Sequence, residues 1–330
     1  MKQKQWLLPA LAFSALAGAL LWHVGIRPPP ATDRPAQTAA VATPELTEVP
    51  GPVVTEQLTS CAPGSRLAQA RRYLDLGPVV RDSELPLTWE RQIRGKHLVV
   101  LGNRHKSNPR SPMYDRMEAV FDRVQPELVL HEGVFPAELR ALSRDKAIEA
   151  GADLGFTVYL ATQRGIPLRS GDASTRLEVE SLLKVYSPEE VLVFLTAQRL
   201  IGSTRDLDVP RLTEEYPAFF EDYLVANGFP RRAAMRTWRS FEQAYARVTG
   251  AVFSAASWNP ELIDPARDAG RLSEMARALN AERDACLVTA IGHALEQHER
   301  VLVTFGYLHV RAVEPVLDDM FRDYAAQGQR

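Results

Sequence analysis

At 330 residues and 36.7 kDa, the chain has room for one large domain or two small ones. A formal net charge of −2 and a pI near 6.4 lack the strongly basic balance of a nucleic-acid-binding protein, so no nucleic-acid partner is expected. Two cysteines exclude a disulfide-built fold and a cysteine metal site, while 45% apolar residues are enough for a substantial core.

Lys2 and Lys4 precede an apolar stretch, residues 6–26 (WLLPALAFSALAGALLWHVGI), with no formally charged residue apart from the option of His23. Spanning a bilayer takes about 20 apolar residues, and basic residues on the short N-terminal side keep that end in the cytoplasm. A signal peptidase cut after Ala15-Leu16-Ala17 is the alternative, but the apolar run continues well past that point. Residues 1–26 therefore read as a signal or uncleaved single-pass anchor. The rest of the chain is placed on the exported side of the cell membrane, periplasmic or extracellular. Residues 27–57 carry Pro28–Pro30, Pro35, Pro44, Pro50 and Pro52 among Ala, Thr and Val, the composition of an extended linker. The folded domain is expected over residues 58–330.

Within it, residues 64–76 pattern as a short amphipathic helix, and residues 97–101 (HLVVL) have the composition of a buried strand. A polar loop follows. Met117, Val120, Phe121 and Val124 then share one face of a helix over 113–124. Pro126 ends that helix, and residues 128–130 form a second buried strand running into His131-Glu132-Gly133. Strand, helix, strand within about 40 residues is a βαβ unit with a right-handed crossover. Residues 136–150 and 152–164 pattern as helices, and a short strand at 166–168 leads into Asp172. Residues from about 174 to 260 form a long helical insertion, broken near 187–188, 202–210 and 228–230. The Arg231, Arg232, Arg236 and Arg239 cluster around Trp238 reads as a solvated helix face.

The longest helix covers residues 270–297, and Arg283 falls inside its apolar stripe, four after Leu279 and four before Leu287. An inward guanidinium needs an anionic or hydrogen-bonding partner, because an unpaired buried charge is very costly. A last strand, 301–305 (VLVTF), is followed by Gly306 and His309, and a closing helix is expected over 314–324 with Pro315 in its first turn. Cys286 reads as a small core residue on the long helix; pairing with Cys61 in an oxidising compartment is the alternative.

A buried strand ending in G-x-x-H occurs twice, as Gly102-Asn103-Arg104-His105 and as Gly306-Tyr307-Leu308-His309. In an open parallel sheet the carboxyl ends of the strands share one rim, where ligands bind. His105, Glu132 and His309 would meet there, with Arg283 facing them and Asp172 as a weaker addition of the same kind. His131, adjacent to Glu132, should point to the other side of its strand and act structurally. The fold class expected is α/β (mixed α+β): a largely parallel central sheet flanked by helices, with the insertion between the early strands and the last. Two histidines and a carboxylate suit a hydrolytic metal site; a metal-free site in which a His or Glu activates water is the alternative.

The ordered set GxxH, strand-ending Glu132, Arg283 in a long helix, and a second GxxH resembles the TraB/PrgY/Tiki group. That group belongs to the wider superfamily of erythromycin esterases and ChaN-like haem-binding proteins. The resemblance covers roughly residues 95–325 in motif order. The chain departs from the commoner pattern in two places: HEG stands at 131–133 where an acidic-apolar-acidic run is frequent, and Asp284 follows Arg283 where Asn is frequent. The resemblance implies a mixed α/β fold with its site at the strand ends, and a membrane-anchored, divalent-metal-dependent hydrolase of peptide or ester bonds. His105, His309 and Glu132 would hold the metal (Mn, Co or Zn). All three, with Arg283, would be catalytic, Arg283 holding Glu132 or stabilising an oxyanion. The alternatives are a non-catalytic haem-, metal- or peptide-binding protein using the same cleft, and a metal-free esterase.

Overall fold

The structure, a computed structural model, describes Cys61, residues 65–202 and residues 207–326. The expected anchor and linker lie outside the described residues. Among the described residues no helix is long and apolar enough to cross a membrane.

Five strands form one sheet: β1 (Leu87–Ile93), β2 (Lys96–Asn103), β3 (Leu128–His131), β4 (Leu168–Ser170) and β5 (Arg300–Gly306). Their spatial order is β1-β2-β5-β3-β4, with β1 antiparallel to β2 and all other neighbours parallel. The mixed α/β architecture expected from the sequence is the one found. The strand late in the chain enters the middle of the sheet, between β2 and β3, so the βαβ unit leaves a gap that β5 fills. Asn103 at the end of β2 pairs with Gly306, and Thr304 of β5 with His131 of β3. The strand that the sequence does not reveal is β1. Of LTWERQI only Trp89 is buried, so this edge strand lacks an apolar run. Arg94 and Gly95, with φ of 50° and 78°, form the two-residue turn into β2; positive φ at both positions matches the right-handed twist of a hairpin.

Helix α1 (Pro112–Val124) joins β2 to β3, and α2 (Arg144–Gln163) joins β3 to β4. The insertion holds α3 (Thr175–Val185), α4 (Pro188–Leu195), α5 (Val209–Ala218) and α6 (Trp238–Thr249), with π-helical turns at Thr196–Ile201 and Phe219–Leu224. Helix α7 (Arg271–Gln297) returns the chain to the sheet, and α8 (Tyr307–Ala326) closes it. Three local expectations are corrected. Of the helix expected over 64–76, the described residues 65–76 form 3-10 turns (Ser65–Gln69 and Tyr73–Asp75) and no amphipathic helix. The third strand lies two residues later than expected. Helix α8 begins at Tyr307, so Pro315 lies inside it and His309 stands in its first turn, not in a loop. The expected helix break near residue 151 survives as a kink in α2 at Ala152, φ 49° and ψ −134°.

One face of the sheet packs on α1 and α2 through residues such as Phe121, Phe156 and Leu302. The other packs on α7 and α8 through Leu287, Ile291, Val303 and Val313. The insertion has its own core, around Phe194, Tyr216, Phe241 and Leu279. Helix α7 belongs to both: Leu272, Met275, Ala276 and Leu279 face the insertion, Leu287 to Leu295 face the sheet. Between these apolar halves lie Asn280, Arg283 and Asp284, all buried polar residues. The interruption of the stripe is where α7 crosses the strand ends.

Candidate active site

Each of the four parallel strands delivers one candidate residue to the same rim: His105 after β2, Glu132 after β3, Asp172 after β4 and His309 after β5. The glycines of the two G-x-x-H motifs are there for close approach. A Cβ on Gly102 would lie 2.9 Å from the Tyr307 Cα, and one on Gly306 would lie 3.3 Å from Glu132 Oε2 and 3.6 Å from His105 Nε2. Gly306 also donates its backbone N–H to Glu132 Oε2 at 2.6 Å. The second motif therefore fixes the carboxylate of the strand beside it.

Arg283 is the centre of the arrangement and only 1% exposed. Its Nη2 donates to Glu132 Oε1 and to Asp172 Oδ2, both at 2.7 Å, and its Nε donates to Asp172 Oδ1 at 2.8 Å. Its Nη1 stands 3.3 Å from His309 Nε2. The expected pairing of Arg283 with Glu132 is present, but Asp172 is the stronger, bidentate partner. Behind them, Glu178 of α3 lies 3.5 Å from Arg283 Nε and is held by Arg199 at 2.7 and 2.9 Å. Burial lowers the basicity of Arg283, but Asp172 and Glu132 outweigh it and hold the guanidinium well above its ordinary range. Asp172 itself is fixed by the backbone N–H groups of Gly133 (3.0 Å) and Ala173 (2.9 Å).

Both histidines are backed by carboxylates. His105 Nδ1 meets Asp153 Oδ1 at 2.6 Å, and His309 Nδ1 meets Asp284 Oδ1 at 2.7 Å. The Tyr73 hydroxyl donates to Asp284 Oδ2 at 2.9 Å and lies equally close to His309 Nδ1. The opposite nitrogens converge: His105 Nε2 is 3.7 Å from Glu132 Oε2, and His309 Nε2 is 3.9 Å from Glu132 Oε1. With Nδ1–H donating to Asp284, the His309 Nε2 lone pair faces the Arg283 N–H; this tautomer follows from the partners. Burial opposes protonation of His105, but Asp153 and Glu132 outweigh it and raise its pKa to about 9. Burial pushes the carboxyl of Asp284 up, against the pull of His309 and Tyr73.

Asp153, Asp284, Tyr73, Glu178 and Arg199 are not singled out by the sequence as site residues. Asp153 carries the best missed signal. It sits in Gly151-Ala152-Asp153-Leu154-Gly155, inside a helix where two glycines are unexpected. A Cβ on Gly155 would collide with the Ala147 carbonyl oxygen, and Ala152 takes a positive φ. The kink stores strain of about 1–3 kcal/mol and sits directly before Asp153, the partner of His105. Asp284, noted in the sequence only as a departure from the family pattern, is the orienting partner of His309. His131 is fully buried, with its pKa lowered to about 4 by that burial.

The cleft over these residues has a volume of about 290 Å³, and His105, Glu132, Arg283 and His309 line it together with Asn103 and Asn280. Carboxylate-backed imidazoles are a common outer support of metal ligands. Here, however, a permanently charged guanidinium lies against two of the three expected donors, and both Glu132 oxygens already accept hydrogen bonds. A divalent cation between His309 Nε2 and Glu132 would face Arg283 directly, so the residues as arranged do not fit one. Among the described residues, no group of three His, Cys, Asp or Glu side chains is placed to hold a metal ion.

Burying Cys286 in α7 does not leave it free: it forms a disulfide with Cys61, contrary to the expectation of a core thiol. The bond ties the segment leading to Tyr73 onto the helix that carries Arg283 and Asp284. The arginines at the end of the insertion behave as a solvated face, Arg231 and Arg236 both pairing with Glu221.

No protein-family model matches this chain, and no curated protein matches it. The resemblance to the TraB/PrgY/Tiki group therefore rests on the motif residues themselves.

Proposed function

We propose that the cleft is a hydrolytic site for peptide or ester bonds, in a TraB/Tiki-like protein tethered by its N-terminal apolar stretch with the domain on the exported side. One observation carries the reading: two imidazoles, each oriented by a carboxylate, turn their second nitrogens to the same buried glutamate at the mouth of a cleft. A base, its orienting acid and a fixed charged group within about 4 Å constitute the geometry that acid–base hydrolysis requires.

In this reading His105 is the general base. Asp153 holds its Nδ1–H, so Nε2 takes the proton of an attacking water as the water oxygen adds to the substrate carbonyl. The imidazolium then returns that proton to the departing amine or alcohol as the carbonyl–heteroatom bond breaks. Glu132 and Arg283 supply a fixed pair of opposite charges beside the reacting atoms, and Asp172 keeps Arg283 from turning into the cleft. His309, with its Nε2 facing Arg283, positions the guanidinium.

The experiment is hydrolysis of a panel of blocked peptides and acyl esters by the full chain in detergent, with and without a chelator. Turnover that His105→Ala abolishes in a still-folded protein supports the reading. Turnover unchanged in His105→Ala, or none by the wild type on any class, contradicts it.

A further inference from the structure

We propose that Tyr73 is a positioning residue for His309 and that the Cys61–Cys286 disulfide is a redox latch that keeps it in place, so that a dithiol reductant releases it and reoxidation restores it. Calling Tyr73 a positioning residue rests on the hydrolytic reading; the latch does not.

Tyr73 reaches the site from outside the sheet. Its hydroxyl donates to Asp284 Oδ2 at 2.9 Å, and its ring stands edge-on to that of His309, centroids 6.0 Å apart at 82°. Asp284 is buried, and its other oxygen accepts from His309 Nδ1 at 2.7 Å. Among the described residues, Tyr73 and His309 are the hydrogen-bond partners of that carboxylate. The hydroxyl thus fixes the carboxylate that fixes the imidazole. Withdrawing it leaves a buried carboxylate oxygen unmet, a charged group short of one hydrogen bond, and lets Asp284 turn away from His309.

Little else keeps Tyr73 in place. Residues 65–79 carry only 3-10 turns, and their apolar hold on the domain is a satellite cluster of Tyr73, Leu76 and Ala312 with Leu308 against it. The Arg71 N–H donates to the Ala312 carbonyl at 2.9 Å, and Arg311 Nη1 donates to the carbonyls of Leu76 and Pro78 at 2.8 and 2.7 Å. A segment with so few buried contacts opens at small cost. At its far end Val80 joins the core beside α1, and Val79 lines the cleft. At its near end stands the disulfide. Cys286 follows Asp284 by two residues on α7, so the bond ties the segment to the helix that Tyr73 must meet. With both ends tied, the effective concentration of the hydroxyl at Asp284 is high; with one end free it falls.

Cys286 is fully buried and Cys61 half-buried, so access directs an incoming thiolate to Cys61. That thiolate bonds to Cys61 Sγ as the S–S bond breaks, and Cys286 leaves as a thiolate and takes up a proton. The second thiol of the reductant then displaces Cys61, closing the reductant's own disulfide. The protein gains the electron pair and two protons that the dithiol loses.

Dithiothreitol tests this on the full-length protein in detergent, labelled with 15N in its histidine rings. The His309 signals are identified by their loss in His309→Gln. In the oxidised wild type they should show one N–H and one bare nitrogen, the tautomer that Asp284 imposes. Dithiothreitol, Cys61→Ser and Tyr73→Phe should each move both signals toward a mixture of tautomers, and dithiothreitol should move those of Tyr73→Phe no further. Trypsin should cut after Arg71 or Arg72 roughly tenfold faster on reduction while the rest of the domain is cut no faster. Reoxidation with oxidised glutathione should restore both readings. On a substrate from the panel, kcat should fall roughly tenfold to hundredfold on reduction and in Tyr73→Phe, with KM little changed. Unchanged His309 signals and cleavage on reduction overturn the latch, as does hydrolysis at one rate in both redox states. Unchanged signals in Tyr73→Phe overturn the positioning role. Loss of the whole fold on reduction also overturns the latch and leaves the disulfide a structural staple. The spectral and cleavage changes in a protein that hydrolyses nothing refute the hydrolytic reading and leave the latch standing.

Discussion

Asp172 grips one edge of Arg283, accepting from Nε at 2.8 Å and from Nη2 at 2.7 Å, in a site where both side chains are almost wholly excluded from water. The same Nη2 holds Glu132, so one planar cation joins the ends of β3 and β4 to the long helix.

Removing that cation leaves Glu132, Asp172 and Glu178 facing one another in a buried space. Breaking a buried pair by removing one partner typically costs ~3–5 kcal/mol. Arg283→Leu should lose stability on that scale in urea denaturation, and adding Asp172→Asn should recover part of it. Arg283→Lys keeps the charge but not the fork, so it should fold yet leave Glu132 misplaced and activity low. Additive effects of Arg283→Leu and Asp172→Asn would contradict the pairing, since residues in contact couple by about 0.5–3 kcal/mol.

His131 predicts a second, pH-dependent behaviour. Its folded pKa is lowered to about 4 by burial, from an ordinary 6.5. Between those values the unfolded chain takes up a proton that the folded chain refuses. Stability is therefore full above about 6.5 and lost as pH falls toward 4. Relative to His131→Asn, the wild type should lose about 1.4 kcal/mol per pH unit across that window. Parallel stability curves for the two proteins between pH 4 and 6.5 would show that His131 is not buried neutral.

The Cys61–Cys286 disulfide closes a loop spanning 225 positions. In the chain-entropy account a loop of that scale constrains the unfolded state by about 5 kcal/mol. Reduction, or Cys61→Ser, should lower the denaturation midpoint and free the segment that brings the Tyr73 hydroxyl to Asp284 and His309. Thiol counting on denatured, unreduced protein should find none; two free thiols would contradict the bond.

The fit of the donors to a metal has its own outcome. Exhaustive dialysis against a chelator should leave fold and hydrolysis intact, with divalent metal well below one equivalent by elemental analysis. Stoichiometric metal that is lost in His105→Ala, together with activity restored by Mn, Co or Zn, would show that Arg283 moves aside for a cation.

Much of this arrangement is legible in the residues because the signals are local. Apolar strands followed by G-x-x-H, a glutamate closing β3 and an arginine inside an apolar stripe each mark a position whose chemistry conflicts with its surroundings. The four parallel strands and the convergence of His105, Glu132, Arg283 and His309 follow from those marks. What is hidden depends on tertiary structure. Strand β1 buries only Trp89 and has no period to read. Asp153 acts through a kink whose need arises from packing against Ala147. Asp284 and Tyr73 matter because helix α8 starts at Tyr307 and carries His309 toward α7, and the disulfide then brings the N-terminal segment over both. Asn103 and Asn280 look like ordinary polar residues until their burial is seen.

The most direct test of His105 as the base is the pH dependence of kcat/KM for the wild type and for Asp153→Asn, on whichever substrate the panel reveals. The catalytic form of His105 is the deprotonated one, and its pKa is raised to about 9, chiefly by Asp153 against the opposing effect of burial. Wild-type kcat/KM should therefore rise roughly tenfold per pH unit through neutrality and level off near pH 9. Asp153→Asn should shift that limb to lower pH and lower the plateau, because the neutral amide neither holds the proton nor orients the ring as firmly. A limb that stays in place in Asp153→Asn, or a rate that falls as pH rises through 9 in the wild type, would contradict the assignment of His105 as the base.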